Sequence, residues 1–221
     1  MPQPFRKPAN ISNYGYAGGF MTDHYPTNPD VLAEAYKVIA SWASIESRQL
    51  DYVILMLGGN PTVATAAYLS LEGKSAKSSF IRASAEKALD DTEREYLFCV
   101  LAVSKSLYSF RNKIAHWRNT RIKGYEDKLV LLNPELQHKT ATSALDAMYV
   151  FTKLEMLDHR QRMEKIWQCY HYLICIHGKN RSGTSSKPDI DALYVQLRER
   201  LSSLDNQLQV PQYPPIQKQE P

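Results

Sequence analysis

Val100-Leu101-Ala102-Val103-Ser104-Lys105-Ser106-Leu107-Tyr108-Ser109-Phe110-Arg111-Asn112-Lys113-Ile114-Ala115-His116-Trp117 carries two patterns wound on one cylinder. Val100, Val103, Leu107, Phe110, Ile114 and Trp117 recur at spacings of three and four, the seam of a helix packed against other helices. At about 100° per residue, Lys105, Tyr108, Asn112 and His116 fall on the opposite side, with Arg111 on the border between the two. Asn112 and His116 stack one turn apart. Arg111 stands roughly 140° round from His116 while the helix stays regular, so the two meet only if the helix frays there or a ligand or partner bridges them.

A solvated helix face is the plain reading of such a polar stripe. The residue types also suit a phosphate. Arginine offers a planar, permanently charged fork to phosphate oxygens, and histidine takes and returns a proton near neutral pH. Such a pair cleaves RNA without a metal when His116 serves as base on a ribose 2′-OH or as acid on the 5′-oxygen. Arg111, helped by the Asn112 amide, then stabilises charge on the crowded phosphorus.

Arg111-Asn112-x-x-Ala115-His116 resembles the R-x4-6-H motif of the HEPN superfamily, in which a polar residue, often Asn, follows the Arg. The resemblance spans roughly residues 29 to 178 as a pattern of helices. It implies an all-α, up-and-down helical bundle that forms a homodimer and brings two copies of the motif into one cleft. It also implies a metal-independent endoribonuclease of the toxin-antitoxin or anti-phage type, acting with an antitoxin or defence-system partner protein. The alternative it carries is a non-catalytic dimer serving as an RNA-binding or protein-binding scaffold. A subgroup paired with a nucleotidyltransferase antitoxin has Tyr two residues after the His, where this chain has Arg118.

The 221 residues, 43% of them hydrophobic, suffice for one substantial core, so one domain with appendages is the default. A net charge of +4 is compatible with RNA as a partner without arguing for it. Three cysteines, no apolar run near eighteen residues and no charged-then-apolar leader indicate a cytoplasmic protein with free thiols and no membrane segment.

Residues 1–27, with Pro2, Pro4, Pro8 and Pro26 among aromatic residues, read as an extended arm. Asn28-Pro29-Asp30 opens a helix that Gly58-Gly59 stops, with Val31, Ala35, Val38, Trp42, Ile45, Tyr52 and Met56 as its buried stripe. Glu46 on that helix is a candidate supporting residue for the motif, against the plainer role of a surface acid. Asn60-Pro61-Thr62 starts a short Ala-rich helix to about Leu71, whose small residues suit tight packing. Ser75 to Leu89 reads as a third helix, and Lys74, Lys77, Arg82 and Lys87 offer a basic track or a solvated face. The acids of Asp90-Asp91-Thr92-Glu93 suit the start of the motif helix.

After the motif come Arg118, Arg121 and Lys123, candidate RNA contacts together with Lys105 and Tyr108. Lys128 to Leu132 reads as a short extended segment, insufficient for a sheet. Thr142-Ser143 caps a helix expected to run to Ile176, with Met163, Ile166, Tyr170, Leu173 and His177 as its stripe. Cys169, His171, Cys175 and His177 diverge round one straight helix and do not close a metal tetrahedron from a single chain; no metal or other cofactor is expected.

The bundle is therefore drawn over 28–178, a flexible linker over 179–187 and an amphipathic C-terminal helix over 188–210, followed by a Pro-rich tail over 211–221. A third reading makes the chain a helical adaptor, its arm and final helix carrying the function, with Arg111 and His116 merely finishing their helix.

Overall fold

A computed structural model of the chain describes residues 28–120, 125, 127–133, 148–183 and 186–205, apart from the side chains of Arg118, Thr120 and Met148. The arm, Arg121, Lys123, the Thr142-Ser143 cap and the Pro-rich tail lie outside the described residues.

Six helices dominate the described residues. α1 (Pro29–Leu57) begins where its sequence dictates: the Asn28 side chain accepts from the Asp30 amide at 2.9 Å, and Pro29 supplies a preset first position. Its whole expected stripe, Val31 through Met56, is buried. The helix stops at Gly58, whose φ of 60° is the left-handed conformation that a side chain resists.

α2 (Pro61–Leu69) is capped by Asn60 in the same way, 2.9 Å from the Thr62 amide, and ends two residues short of Leu71. Its alanines do not make the close packing that their size suggests. Ala64 is buried but Ala66 and Ala67 are exposed, and Tyr68 anchors the helix instead. α3 (Gly73–Ala88) buries Ile81 and Ala85 and leaves Arg82 and Lys87 exposed. α4 (Asp91–His116) starts with Asp90 accepting from the Glu93 amide at 2.8 Å.

The region after α4 departs from the sequence reading. β1 (Arg118–Thr120), β2 (Lys128–Leu132) and β3 (Met148–Thr152) form an antiparallel sheet in the order β1-β2-β3. Lys128–Leu132 is the central strand, so the segment judged too short for a sheet has a partner on both edges. Arg118 pairs with Leu132 and Leu129 with Phe151, and Leu129, Val130, Leu131 and Leu132 are all buried. The helix expected from Thr142-Ser143 begins instead at Lys153, because Met148-Tyr149-Val150-Phe151-Thr152 spends its β-branched and aromatic residues on the sheet. α5 (Lys153–Ser182) starts with Thr152 and Glu155 bonded reciprocally, amide to side chain, at 2.8 and 3.2 Å. It runs through residues assigned to the linker. α6 (Lys187–Ser202) follows after Gly183.

The chain divides into two compact units, residues 1–42 with 107–161 and residues 43–106 with 162–221. In the first, Phe110 stacks on His159 at 3.7 Å and meets Phe151 edge-on at 5.4 Å, while Trp42 packs against Tyr108 at 5.3 Å. Arg160 and Lys37 both reach the buried Glu34, at 3.5 and 2.7 Å. In the second, Tyr52, Tyr68, Tyr96 and Tyr170 are fully buried with Ile81 and Leu97. Gln49 joins two of these hydroxyls, accepting from Tyr68 at 2.9 Å and donating to Tyr170 at 2.8 Å. The final helix is held here by Tyr194, Leu197 and Leu201, with Tyr194 against Tyr96 at 5.2 Å. Among the described residues no helix is long and apolar enough to cross a membrane.

Candidate functional site

α4 delivers Arg111, Asn112 and His116 in its last two turns, inside the first unit. Arg111 is half-buried, and its Nη1 donates to the Asn112 carboxamide oxygen at 3.0 Å. That bond fixes the guanidinium beside the amide. Its Nε is buried with no hydrogen-bond partner among the described residues. His116 is exposed and has no hydrogen bond or ion pair among the described residues.

The helix does not fray at the motif. The Trp117 amide still bonds to the Lys113 carbonyl at 2.9 Å, completing a regular turn over His116. Arg111 and His116 therefore project about 140° apart, which leaves bridging by a ligand or a second copy as the way for both to act on one group.

Lys113 and Trp117 also lie in the last turns of the motif segment. The Lys113 ammonium lies 5.2 Å from the Trp117 ring centre and 5.4 Å from that of Tyr149, and the two rings are 5.0 Å apart at 49°. Burial pushes Lys113 below the ordinary lysine range. These three were not singled out as site residues from sequence. Lys113 falls between the two stripes of α4, and Tyr149 belongs to a strand mistaken for helix.

The remaining candidates are divided. Tyr108 is half-buried and used in packing on Trp42. Arg118 lies in β1, its side chain outside the description, and Arg121 and Lys123 fall outside the described residues. Lys105 and Glu46 belong to the second unit. There they share an electrostatic neighbourhood with Lys74, whose Nζ donates to the Ser104 carbonyl at 3.3 Å. Burial, reinforced by the Lys105 cation and opposed by Glu46, lowers Lys74 to about 8. Burial first and the Glu46 charge second raise the Tyr68 hydroxyl. Glu46 thus balances a half-buried lysine, a task visible only once α3 is placed.

On α5, Trp167 carries Arg48 on its ring at 4.7 Å and stacks on His171 at 5.8 Å, and the His171 Nε2 is 3.8 Å from the Cys175 sulfur. Cys169 is buried, which raises its thiol to about 12, and His177 faces Glu93 in the core. No three metal-binding side chains converge among the described residues.

The chain matches no family model, no curated protein and no solved structure.

Proposed function

We propose that the chain is a metal-independent endoribonuclease of HEPN type, working in the cytoplasm as a homodimer whose two motifs share one substrate. The observation that carries this reading is the rigid divergence of Arg111 and His116 on an unbroken helix, with the guanidinium already bonded to Asn112. On one copy the two groups project away from each other, so a second copy is the simpler way to bring both to a single phosphate. Two copies supply both.

In such a site one His116 removes the proton from a ribose 2′-OH, whose oxygen bonds to the adjacent phosphorus while the bond from phosphorus to the 5′-oxygen breaks. The second His116, protonated beforehand, hands its proton to the departing 5′-oxygen. Arg111 and Asn112 hold the non-bridging oxygens as charge builds on them. The products are a 2′,3′-cyclic phosphate and a 5′-hydroxyl. A toxin or anti-phage effector restrained by a partner protein is the setting that suits this chemistry.

A second reading rests on His116 itself. Among the described residues no side chain accepts a hydrogen bond from its ring, and a binding-only RNA scaffold needs none there.

Cleavage of single-stranded RNA in EDTA separates the two readings. The nuclease gives cyclic-phosphate ends, and Arg111→Ala and His116→Ala each reduce the rate by about 100-fold or more without unfolding the protein. Binding without cleavage selects the scaffold.

A further inference from the structure

We propose that Cys175 is an oxidation site for small hydroperoxides, with His171 moving the proton from its thiol to the departing hydroxide. The two residues stand one turn apart on α5, and the His171 Nε2 lies 3.8 Å from the Cys175 sulfur, a contact in which the thiol serves as donor. Neighbours give the imidazole its orientation. It stacks on Trp167 one turn earlier, the ring planes 9° apart, and Trp167 carries the Arg48 guanidinium at 4.7 Å, itself paired with Asp51 at 3.4 Å. His171 is exposed and Cys175 half-buried, so the pair borders water. The other two thiols are set apart by burial. Cys169 is fully buried and pushed up to about 12, and burial, with the Glu95 charge behind it, raises Cys99. Because the thiolate is the nucleophile, both are slow to react.

A hydroperoxide suits this pair because hydroxide leaves poorly until it is protonated, and the imidazole supplies that proton. With its ring proton on Nδ1, His171 accepts the Cys175 proton at Nε2. The sulfur electron pair then bonds to one peroxide oxygen as the O–O bond breaks. The imidazolium returns its proton to the departing hydroxide, giving water and a sulfenic acid. Sulfur loses two electrons and the peroxide gains them. Cys169, six residues earlier and roughly 9 Å along the helix axis, is beyond disulfide reach of that sulfur. A small external thiol restores the cysteine through a mixed disulfide.

The test treats the folded full chain with hydrogen peroxide, traps sulfenic acid with dimedone and maps the label by peptide mass spectrometry. Cys175 should be marked first, with Cys169 and Cys99 unmarked until the chain is unfolded. Rates then isolate the imidazole. His171→Gln should slow oxidation of Cys175 by about tenfold, a ring bordering water giving less than the ~100-fold of an enclosed acid–base group. Alkylation by iodoacetamide, whose iodide leaves without a proton, should slow much less. Circular dichroism checks the fold, and His171→Asn replaces the glutamine variant if that one misfolds. Marking of Cys99 or Cys169 ahead of Cys175 overturns the site. Oxidation of the His171 variant at the wild-type rate, or equal slowing of both reactions, overturns the proton transfer.

Discussion

His177 Nδ1 lies 3.0 Å from one carboxylate oxygen of Glu93, and the two side chains are only 5% and 2% exposed. The same carboxylate oxygen accepts from the Tyr52 hydroxyl at 2.6 Å, so the start of α4 and the last two turns of α1 and of α5 meet on one buried acid. The hydroxyl is held in its neutral form by burial and by the adjacent carboxylate, which together raise Tyr52 well above the usual tyrosine range. Removing one member of a buried charged network leaves the others desolvated and unpaired. Glu93→Ala should cost about 3 kcal/mol or more, and Tyr52→Phe about 1.5–3 kcal/mol, measured by urea unfolding.

The first unit is built round an aromatic stack as well as the ion pairs of Glu34. Phe110 touches both His159 and Phe151, and both phenylalanines are fully buried. Phe151→Ala is expected to destabilise by about 3–5 kcal/mol, with Phe151→Leu much milder. A loss below about 1 kcal/mol in the alanine variant would contradict the placement of β3 against α4.

Gly58 ends α1 in the left-handed conformation, and a Cβ there would run into the Arg181 guanidinium. Arg181 also donates to the Leu55 carbonyl at 3.2 Å, satisfying an acceptor that the end of α1 leaves open. Gly58→Ala should therefore lower stability by about 1–2 kcal/mol through backbone strain and displacement of Arg181. Arg181→Ala alone should cost less, and thermal denaturation of both variants checks the order.

Lys74 gives a pH signature. Its folded-state value near 8 lies below the 10.5 of an unperturbed lysine, so the unfolded chain binds the proton more tightly. The resulting destabilisation is fully present below pH 8 and fades as pH rises from there toward 10.5. Lys74→Met is expected to be more stable than wild type at pH 7, by up to about 1 kcal/mol for a half-exposed group, and that advantage should shrink by pH 9. Comparing the two proteins at each pH removes the opposing contributions of Cys169 and the buried tyrosines, whose raised values weaken the fold at higher pH.

Local signals made the long helices legible. Asn28-Pro29 and the stripe from Val31 to Met56 set α1 within a residue, because capping and three-four periodicity are properties of neighbouring residues. The sheet was not legible for the opposite reason. Leu129 and Phe151 are 22 positions apart, and without β3 as a partner Lys128–Leu132 has no use for its apolar residues. A helix drawn back to Thr142-Ser143 absorbed β3, although Tyr149-Val150-Phe151 has the composition of a strand. At the site, Arg111, Asn112 and His116 stood out by residue type. The roles of Glu93, Glu46 and Lys113 depend on contacts with distant segments: pattern alone made Glu93 a helix-start acid and Glu46 a candidate support for the motif, and gave Lys113 no role.

The most direct measurement of the central claim is specific ribonuclease activity across a dilution series, with sedimentation reporting the mass at each concentration. Because Arg111 and His116 point apart on one rigid helix, activity should follow the fraction of paired chains and vanish with them. Full specific activity from a single chain, or RNA left intact by a fully paired protein, would contradict the account.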